Sequence, residues 1–199
     1  MPDYSYEKVA SKNGFNLVCG VDEAGRGPLA GPVCAAAVIL PQNLVIEGLD
    51  DSKKLTEKKR EALYDVITDK AIAYGIAFAD VREIEEYNIL GATYIAMCRA
   101  VEKLGEKADY VLIDGNRFPP MLQIDGECIV KGDAKSMSVA AASILAKVTR
   151  DRLLLEYAQK YPQYGFEKHK GYGTKAHIEA IKKYGITDIH RPSFLKKLI

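Results

Sequence analysis

The sequence predicts an α/β fold, a mixed β-sheet flanked by helices, with a helical extension at its C-terminal end. Three observations predict it. Two apolar strands joined by a glycine-rich turn come early, helical periods interleave with further short apolar runs, and two of those runs lead into an aspartate. With 199 residues, 48% of them hydrophobic, the chain can bury a core as one domain. Residues 1–199 therefore read as a single domain, about 160–199 being a basic, helical part of it.

Residues 17–21 and 32–40 read as buried strands, and Pro41 closes the second. Asp51-Ser52-Lys53-Lys54-Leu55 is a polar loop, and Thr56 ahead of Lys59, Arg60, Leu63, Val66 and Ile67 reads as the cap of a helix. A third strand fits residues 72–78. Leu90, Tyr94, Met97, Val101 and Leu104 give a helical period over residues 88–104, ended by Gly105. Tyr110-Val111-Leu112-Ile113 is a strand delivering Asp114, and Cys128-Ile129-Val130 is another, delivering Asp133 after Lys131-Gly132. Residues 138–161 form a long helix stopped by Pro162, and residues 175–184 form a later one.

Lys and Arg total 28 against 27 Asp and Glu, so net charge announces no polyanion. Its distribution is uneven. Lys168, Lys170, Lys175, Lys182, Lys183, Arg191, Lys196 and Lys197 are opposed only by Glu167, Glu179 and Asp188. Such a tail suits a solvated helical surface or a patch that meets nucleic acid. Cys19, Cys34, Cys98 and Cys128 have no CxxC spacing, and three lie in apolar surroundings, so they read as free thiols of a reducing compartment. Residues 1–16 carry no leader-like apolar stretch and no run approaches membrane-spanning length. The expectation is a soluble cytoplasmic protein with no membrane partner.

The chemistry concentrates in Val21-Asp22-Glu23-Ala24-Gly25-Arg26-Gly27-Pro28. Glycines let backbone approach a ligand closely, carboxylates hold hard divalent cations, and arginine grips phosphate or ribose. Strand ends are where α/β sheets bind ligands, so Asp22, Glu23, Asp114 and Asp133 are expected to converge on one cleft. Gathered carboxylates repel unless a cation neutralises them, which points to Mg2+ or Mn2+, one or two ions. A lone Asp after an apolar run is as well explained as a turn former, which holds for Asp114 or Asp133 taken singly. Neighbouring strand residues face opposite ways, so Asp22 and Glu23 need a strand end or bulge to serve one ion.

With these residues in hand, the chain resembles the ribonuclease HII family, the prokaryotic type 2 ribonuclease H. The resemblance rests on Asp22–Gly27, Asp51–Leu55, Leu112–Asn116, Lys131–Asp133, Ala141–Asp151 and His169–Thr174, in that order along the chain. It implies a ribonuclease H-like fold and endonucleolytic hydrolysis of the RNA strand of RNA–DNA hybrids. It also implies incision of DNA 5′ to embedded ribonucleotides, leaving 5′-phosphate and 3′-hydroxyl ends, as ribonucleotide excision in DNA replication and repair requires. By the same resemblance Asp22, Glu23, Asp114 and Asp133 are the catalytic metal ligands. Gly25, Arg26 and Gly27 read the 2′-hydroxyl, and Tyr172 packs on the sugar beyond it. Lys53, Ser143, Lys147 and Lys170 are further expected substrate contacts, though Lys53 and Lys54 are loop lysines that solvent alone would explain. Gly173 stands where the family often carries Pro, a small change in loop stiffness.

Ser143, Lys147 and Asp151 share one face of the long helix by their spacing, leaving Val139, Ala142, Leu145, Ala146 and Leu153 to face the core. Three competing readings fit less well. The sister family ribonuclease HIII carries an extra N-terminal domain, for which the 21 residues before Asp22 leave no room, and usually a lysine where Arg26 stands. A non-catalytic hybrid-binding module would have lost a carboxylate. A general DNA nuclease would not need the Gly-Arg-Gly and Tyr172 pair. The chain shows no glutamine-led, paired-aromatic motif of the kind that docks on sliding clamps, and the resemblance implies a monomer.

Overall fold

The computed structural model describes residues 1–105, 108–196 and 198. Lys197, expected as part of the basic tail, lies outside them. In chain order the elements are α1 (Ser5–Lys12), β1 (Val18–Ala24), β2 (Val33–Ile39), α2 (Glu57–Lys70), β3 (Ala73–Ala79), α3 (Val81–Glu102), β4 (Tyr110–Asp114) and β5 (Gly126–Ile129). They continue through α4 (Met137–Lys160), α5 (Phe166–His169), α6 (Lys175–Tyr184) and α7 (Pro192–Leu195). The sheet order is β3-β2-β1-β4-β5, antiparallel among the first three strands and parallel from β1 to β4 to β5.

Strand parity sorts the core into two layers. Cys19, Val21, Ala35, Ala37 and Ile39 pack with Ala92, Ala96 and Ala100 of α3. On the other face Ala24, Cys34, Ala36 and Val38 pack with Ala140, Ala141 and Ile144 of α4 and Leu63 and Ile67 of α2. Alanines on both surfaces let the helices sit close to the sheet at interior packing density. The first half of α4 is buried all round, as befits a helix enclosed by other elements. At its start, Glu7 of α1 accepts from Ser136 Oγ at 2.6 Å and Ser138 N–H at 2.9 Å, setting a carboxylate on the positive end of the helix.

Four expectations need correction. β1 runs to Ala24 rather than ending at Val21, because β2 goes on pairing with it through Ala24↔Cys34. The second apolar run of that region forms β5 two residues early, at Gly126–Ile129. Helix α3 begins at Val81, where Asp80 and Glu83 form a reciprocal cap. It kinks at Asn88, whose positive φ of 57° and Oδ1 bonds to the Leu90 and Gly91 N–H groups start a second helical run there. On α4, Leu154 rather than Leu153 is fully buried. Among the described residues no helix is long and apolar enough to cross a membrane, and all four cysteines are free.

A third core joins the end of α4 to the C-terminal segment through Leu154, Tyr164, Phe166, Ile181 and Leu195, and takes in Leu29 and Ala30 from the turn after β1. Inside it runs a directed histidine chain. Thr187 N–H donates to His190 Nδ1 at 2.9 Å, which leaves the His190 proton on Nε2, 3.2 Å from His177 Nε2; His177 Nδ1–H then donates to the Tyr172 carbonyl at 2.9 Å. Burial pushes both imidazoles down to about 4. Free histidine titrates near 6.5, so the unfolded chain takes up protons first as the pH falls below about 6.5. The pair's contribution to stability should therefore be lost between about pH 6.5 and 4, so the margin by which wild type melts above His177→Gln, a difference in which the titration of the carboxylates cancels, should narrow over that interval. A margin that does not change with pH would contradict the neutral, buried pair.

Candidate active site

Asp22, Glu23 and Asp114 stand at the C-terminal edge of the two central parallel strands, and Asp133 adjoins them from the turn after β5. The β1–β4 ladder ends at Val21↔Ile113, so Asp22 and Asp114 follow side by side. By strand parity both lie on the α4 face. Glu23 takes the opposite face and lines a cavity of about 370 Å³ with Leu90, Tyr94 and Met97 of α3, Arg26 and Asp114. It also lines a second cavity of about 200 Å³, on the α4 side, with Asp22, Asp114, Lys53, Ser143, Lys147, Tyr172 and Gly25–Gly27. No bulge brings Asp22 and Glu23 to one face; the sheet simply ends there on the β4 side, and Glu23 borders both cavities. Asp133 sits in the short turn Gly132–Ala134 after β5, and that turn is tied to the site by Gly132 N–H donating to Asp114 Oδ1 at 2.7 Å.

Charge is under-compensated. Burial first, then Glu23 and Asp114, hold the Asp22 carboxyl well above the usual carboxylate range. Burial also raises Glu23, against the pull of Arg26, whose Nη1 lies 3.2 Å from Glu23 Oε1. Asp133 is raised by burial and by Asp114, against Lys53, whose ammonium lies 3.4 Å from Asp133 Oδ2. Burial disfavours that ammonium, yet Asp133 and Asp22 outweigh it and lift its pKa. An all-oxygen donor set with unneutralised negative charge fits a hard divalent cation. Among the described residues no three His, Cys, Asp or Glu side chains are gathered so as to hold an ion alone. The carboxylates line an open site, which suits an ion completed by waters and a substrate phosphate.

Most expected substrate contacts reach this cleft. Tyr172 is 45% exposed, and a Cβ added at Gly27 would sit 3.5 Å from its ring, so ring and glycine border one space. Lys147 Nζ pairs with Asp151 Oδ1 at 2.8 Å on the wall formed by α4. Ser143 lies one turn before Lys147, its hydroxyl donating to the Ala140 carbonyl at 2.9 Å. Lys54 instead pairs with Asp50 at 3.0 Å. Lys170 is not brought to the cleft: its ammonium donates to the Glu167 carbonyl at 2.7 Å, and its own carbonyl accepts from Arg150 at 3.0 Å.

Three arginines to which the sequence assigned no part in the site organise it, and Arg191, counted with the basic tail, is buried rather than on its surface. Arg60 donates to the carbonyls of Ser52 at 3.1 Å and Leu55 at 2.6 Å and lies 3.9 Å from Asp151, tying the Lys53 turn to α4. Arg150 donates to the carbonyls of Ala30, Pro32 and Lys170, each at 3.0 Å. Arg191 donates to the carbonyls of Gly25, Arg26, Pro28 and Gly31 at 2.7 to 3.0 Å. Both Arg150 and Arg191 are buried, with main-chain oxygens rather than carboxylates as partners. For Gly25, held at φ 95°, an added Cβ would fall 1.9 Å from Arg150 Nε, so this glycine is demanded by packing as well as by conformation.

A family model described as Ribonuclease HII matches residues 19–197. A Ribonuclease HII of Acetivibrio thermocellus is 61% identical over 194 residues, 98% of this chain and 75% of that protein. A Ribonuclease HII of a Marinomonas species is 60% identical over 186 residues, 92% of this chain and 94% of that protein. Among solved structures, the ribonuclease H2 of Pyrococcus horikoshii superposes with a TM-score of 0.75 at 28% identity, covering 92% of this chain and 97% of that one.

Proposed function

The chain belongs to the ribonuclease HII family, and we propose that Asp22, Glu23, Asp114 and Asp133 are the carboxylates with which it works. It is a metal-dependent endoribonuclease that hydrolyses the RNA strand of RNA–DNA hybrids and incises DNA 5′ to embedded ribonucleotides. The observation that carries the site assignment is Asp22, Glu23 and Asp114 lining one cleft with Gly25–Gly27, Lys53 and Tyr172, with Asp133 joined to it through Lys53 at 3.4 Å and through the Gly132 N–H bond to Asp114. A divalent cation, Mg2+ or Mn2+, supplies Lewis-acid polarisation and counter-charge when bound. Asp22, Glu23, Asp114 and Asp133 would hold it.

The chain's own groups do the rest by position and charge. Lys53 and Lys147 place positive charge where phosphates lie. Gly25–Gly27 and Arg26 meet the ribose, and the exposed ring of Tyr172 packs on the next sugar. Water adds to phosphorus and the bond to the 3′-oxygen breaks, which leaves the 3′-hydroxyl and 5′-phosphate ends. Residues 1–199 act as one catalytic domain, monomeric and cytoplasmic, without docking on a sliding clamp.

The test is cleavage of a labelled duplex carrying one ribonucleotide, with Mg2+, with Mn2+ and with chelator, beside an all-DNA control and Asp114→Asn. Metal-dependent incision 5′ to the ribonucleotide, lost in the variant, is the expected result. Cleavage of the all-DNA duplex would instead indicate a general nuclease, and a folded protein inactive with both metals a hybrid-binding module.

A further inference from the structure

Arg191 is 0% exposed, and its guanidinium stands 5.1 Å over the Phe194 ring. Its four acceptors are all main-chain oxygens of the turn after β1. Nη2 donates to the Gly25 carbonyl at 2.7 Å, Nη1 to those of Arg26 at 3.0 Å and Pro28 at 2.8 Å, and Nε to that of Gly31 at 2.9 Å. A buried cation without an anion is costly, and side chains chosen only for packing avoid it. What this one does follows from the geometry of the peptide bond.

The peptides here are trans, and in a trans peptide the C=O of one residue and the N–H of the next point in opposite directions. Drawing the Gly25 and Arg26 carbonyls inward onto Arg191 therefore turns the N–H groups of Arg26 and Gly27 outward. Outward is the cleft that Gly25, Arg26 and Gly27 line beside Tyr172 and Lys53. Among the described residues neither N–H has an acceptor within the chain. The cation behind the carbonyls also polarises both peptides, with their positive ends toward the cleft. Leu29 N–H donating to the Gly171 carbonyl at 2.8 Å links this turn to the segment that carries Tyr172.

We infer that Arg191 is the positioning residue for ribose recognition: from the buried side it aims and polarises the Arg26 and Gly27 N–H groups at the 2′-oxygen of the ribonucleotide. This rests on the reading above that Gly25–Gly27 meet the ribose. Arginine is required because its planar fork serves four carbonyls at once, whereas a lysine ammonium has three donors at a single point. Deoxyribose offers no oxygen at that place, so the two amides separate RNA from DNA without any contact between Arg191 and the substrate.

Two measurements test it. In chelator, 15N-labelled wild-type protein is titrated with a DNA duplex carrying one ribonucleotide and with the same duplex all-deoxy. The Arg26 and Gly27 amide protons should move downfield with the first and not with the second; equal movement with both, or none with either, overturns the inference. For R191K, the ratio of affinities for the two duplexes should fall by about tenfold, the scale of one lost hydrogen bond. A merely structural role would weaken both duplexes alike, so an unchanged ratio in folded R191K also overturns it. If R191K does not fold, R191Q, whose amide can still donate to these carbonyls, carries the affinity comparison in its place: a fall of about tenfold in the ratio is expected and an unchanged ratio overturns the inference. Wild-type protein that cleaves at the ribonucleotide while these amides stay still sinks the inference and leaves the proposed function standing; wild-type protein that neither binds nor cleaves sinks both.

Discussion

Asp22→Asn should end cleavage and at the same time stabilise the metal-free protein. Asparagine keeps an oxygen to accept the Glu23 N–H bond, which Asp22 Oδ1 makes at 2.7 Å, so the local backbone has no reason to move. What is lost is one negative charge at the centre of the cleft, and we expect activity with either metal to fall on the order of 10³-fold. What is gained is relief. Asp22 is 4% exposed, and burial together with Glu23 and Asp114 raises its pKa. A raised carboxyl binds its proton more readily folded than unfolded, so it lowers stability as the pH rises above the ordinary carboxylate range. In chelator the variant should therefore melt above wild type at neutral pH, and the gap should close as the pH falls toward 4. Saturating Mn2+ should raise the wild type and leave the variant nearly unmoved, since binding to the native state alone is stabilising. Retained activity, or a variant that melts below wild type in chelator at neutral pH, would remove Asp22 from the site.

That opposition between activity and stability was readable in part from the chain itself. Asp22, Glu23, Asp114 and Asp133 follow apolar runs, and short continuous apolar runs bounded by polar or turn residues are enough to suggest strands. The sequence does not carry pairing, so it could not say that β2 extends β1 to Ala24, or that β4 ends beside Asp22 and opens one edge for Glu23. The buried arginines were hidden for the same reason. Arg150 and Arg191 bond carbonyls 118 to 166 residues away for all but one of their contacts, and a charged residue in a polar stretch reads as solvated unless its partners are known. The Asp80–Glu83 cap at the true start of α3 was a visible signal, with the right spacing, that the later apolar period overshadowed. Lys170 misled in the opposite direction. Its neighbours carry a site motif, but at φ 48° its backbone belongs to the turn that Arg150 holds.

Gly20→Ala should be the most damaging single methyl that β1 can receive. Gly20 lies on the α4 face, opposite Val38 and Leu112, at the point where α4 crosses β1. A Cβ there would fall 2.1 Å from the Ser138 carbonyl carbon and 2.2 Å from Val139 N, both backbone atoms of the first turn of α4. No rotamer change relieves a clash with main chain, and that turn is fastened by Glu7, which accepts from Ser136 Oγ and Ser138 N–H. Either the helix start shifts and those bonds stretch, or the strand bends at the residue two before Asp22. Overpacking of this kind costs about 3 kcal/mol or more, which for a domain of this size lowers the melting temperature by roughly 6–12 °C. The damage should reach function as well, because Ser143 and Lys147 face Asp22 across the gap that α4 would widen. Activity per folded molecule, measured below the melting transition, should fall even where circular dichroism reports a native helix content. A variant that melts within about 2 °C of wild type and cleaves normally would mean that the close approach of α4 to β1 does not set the geometry of the site.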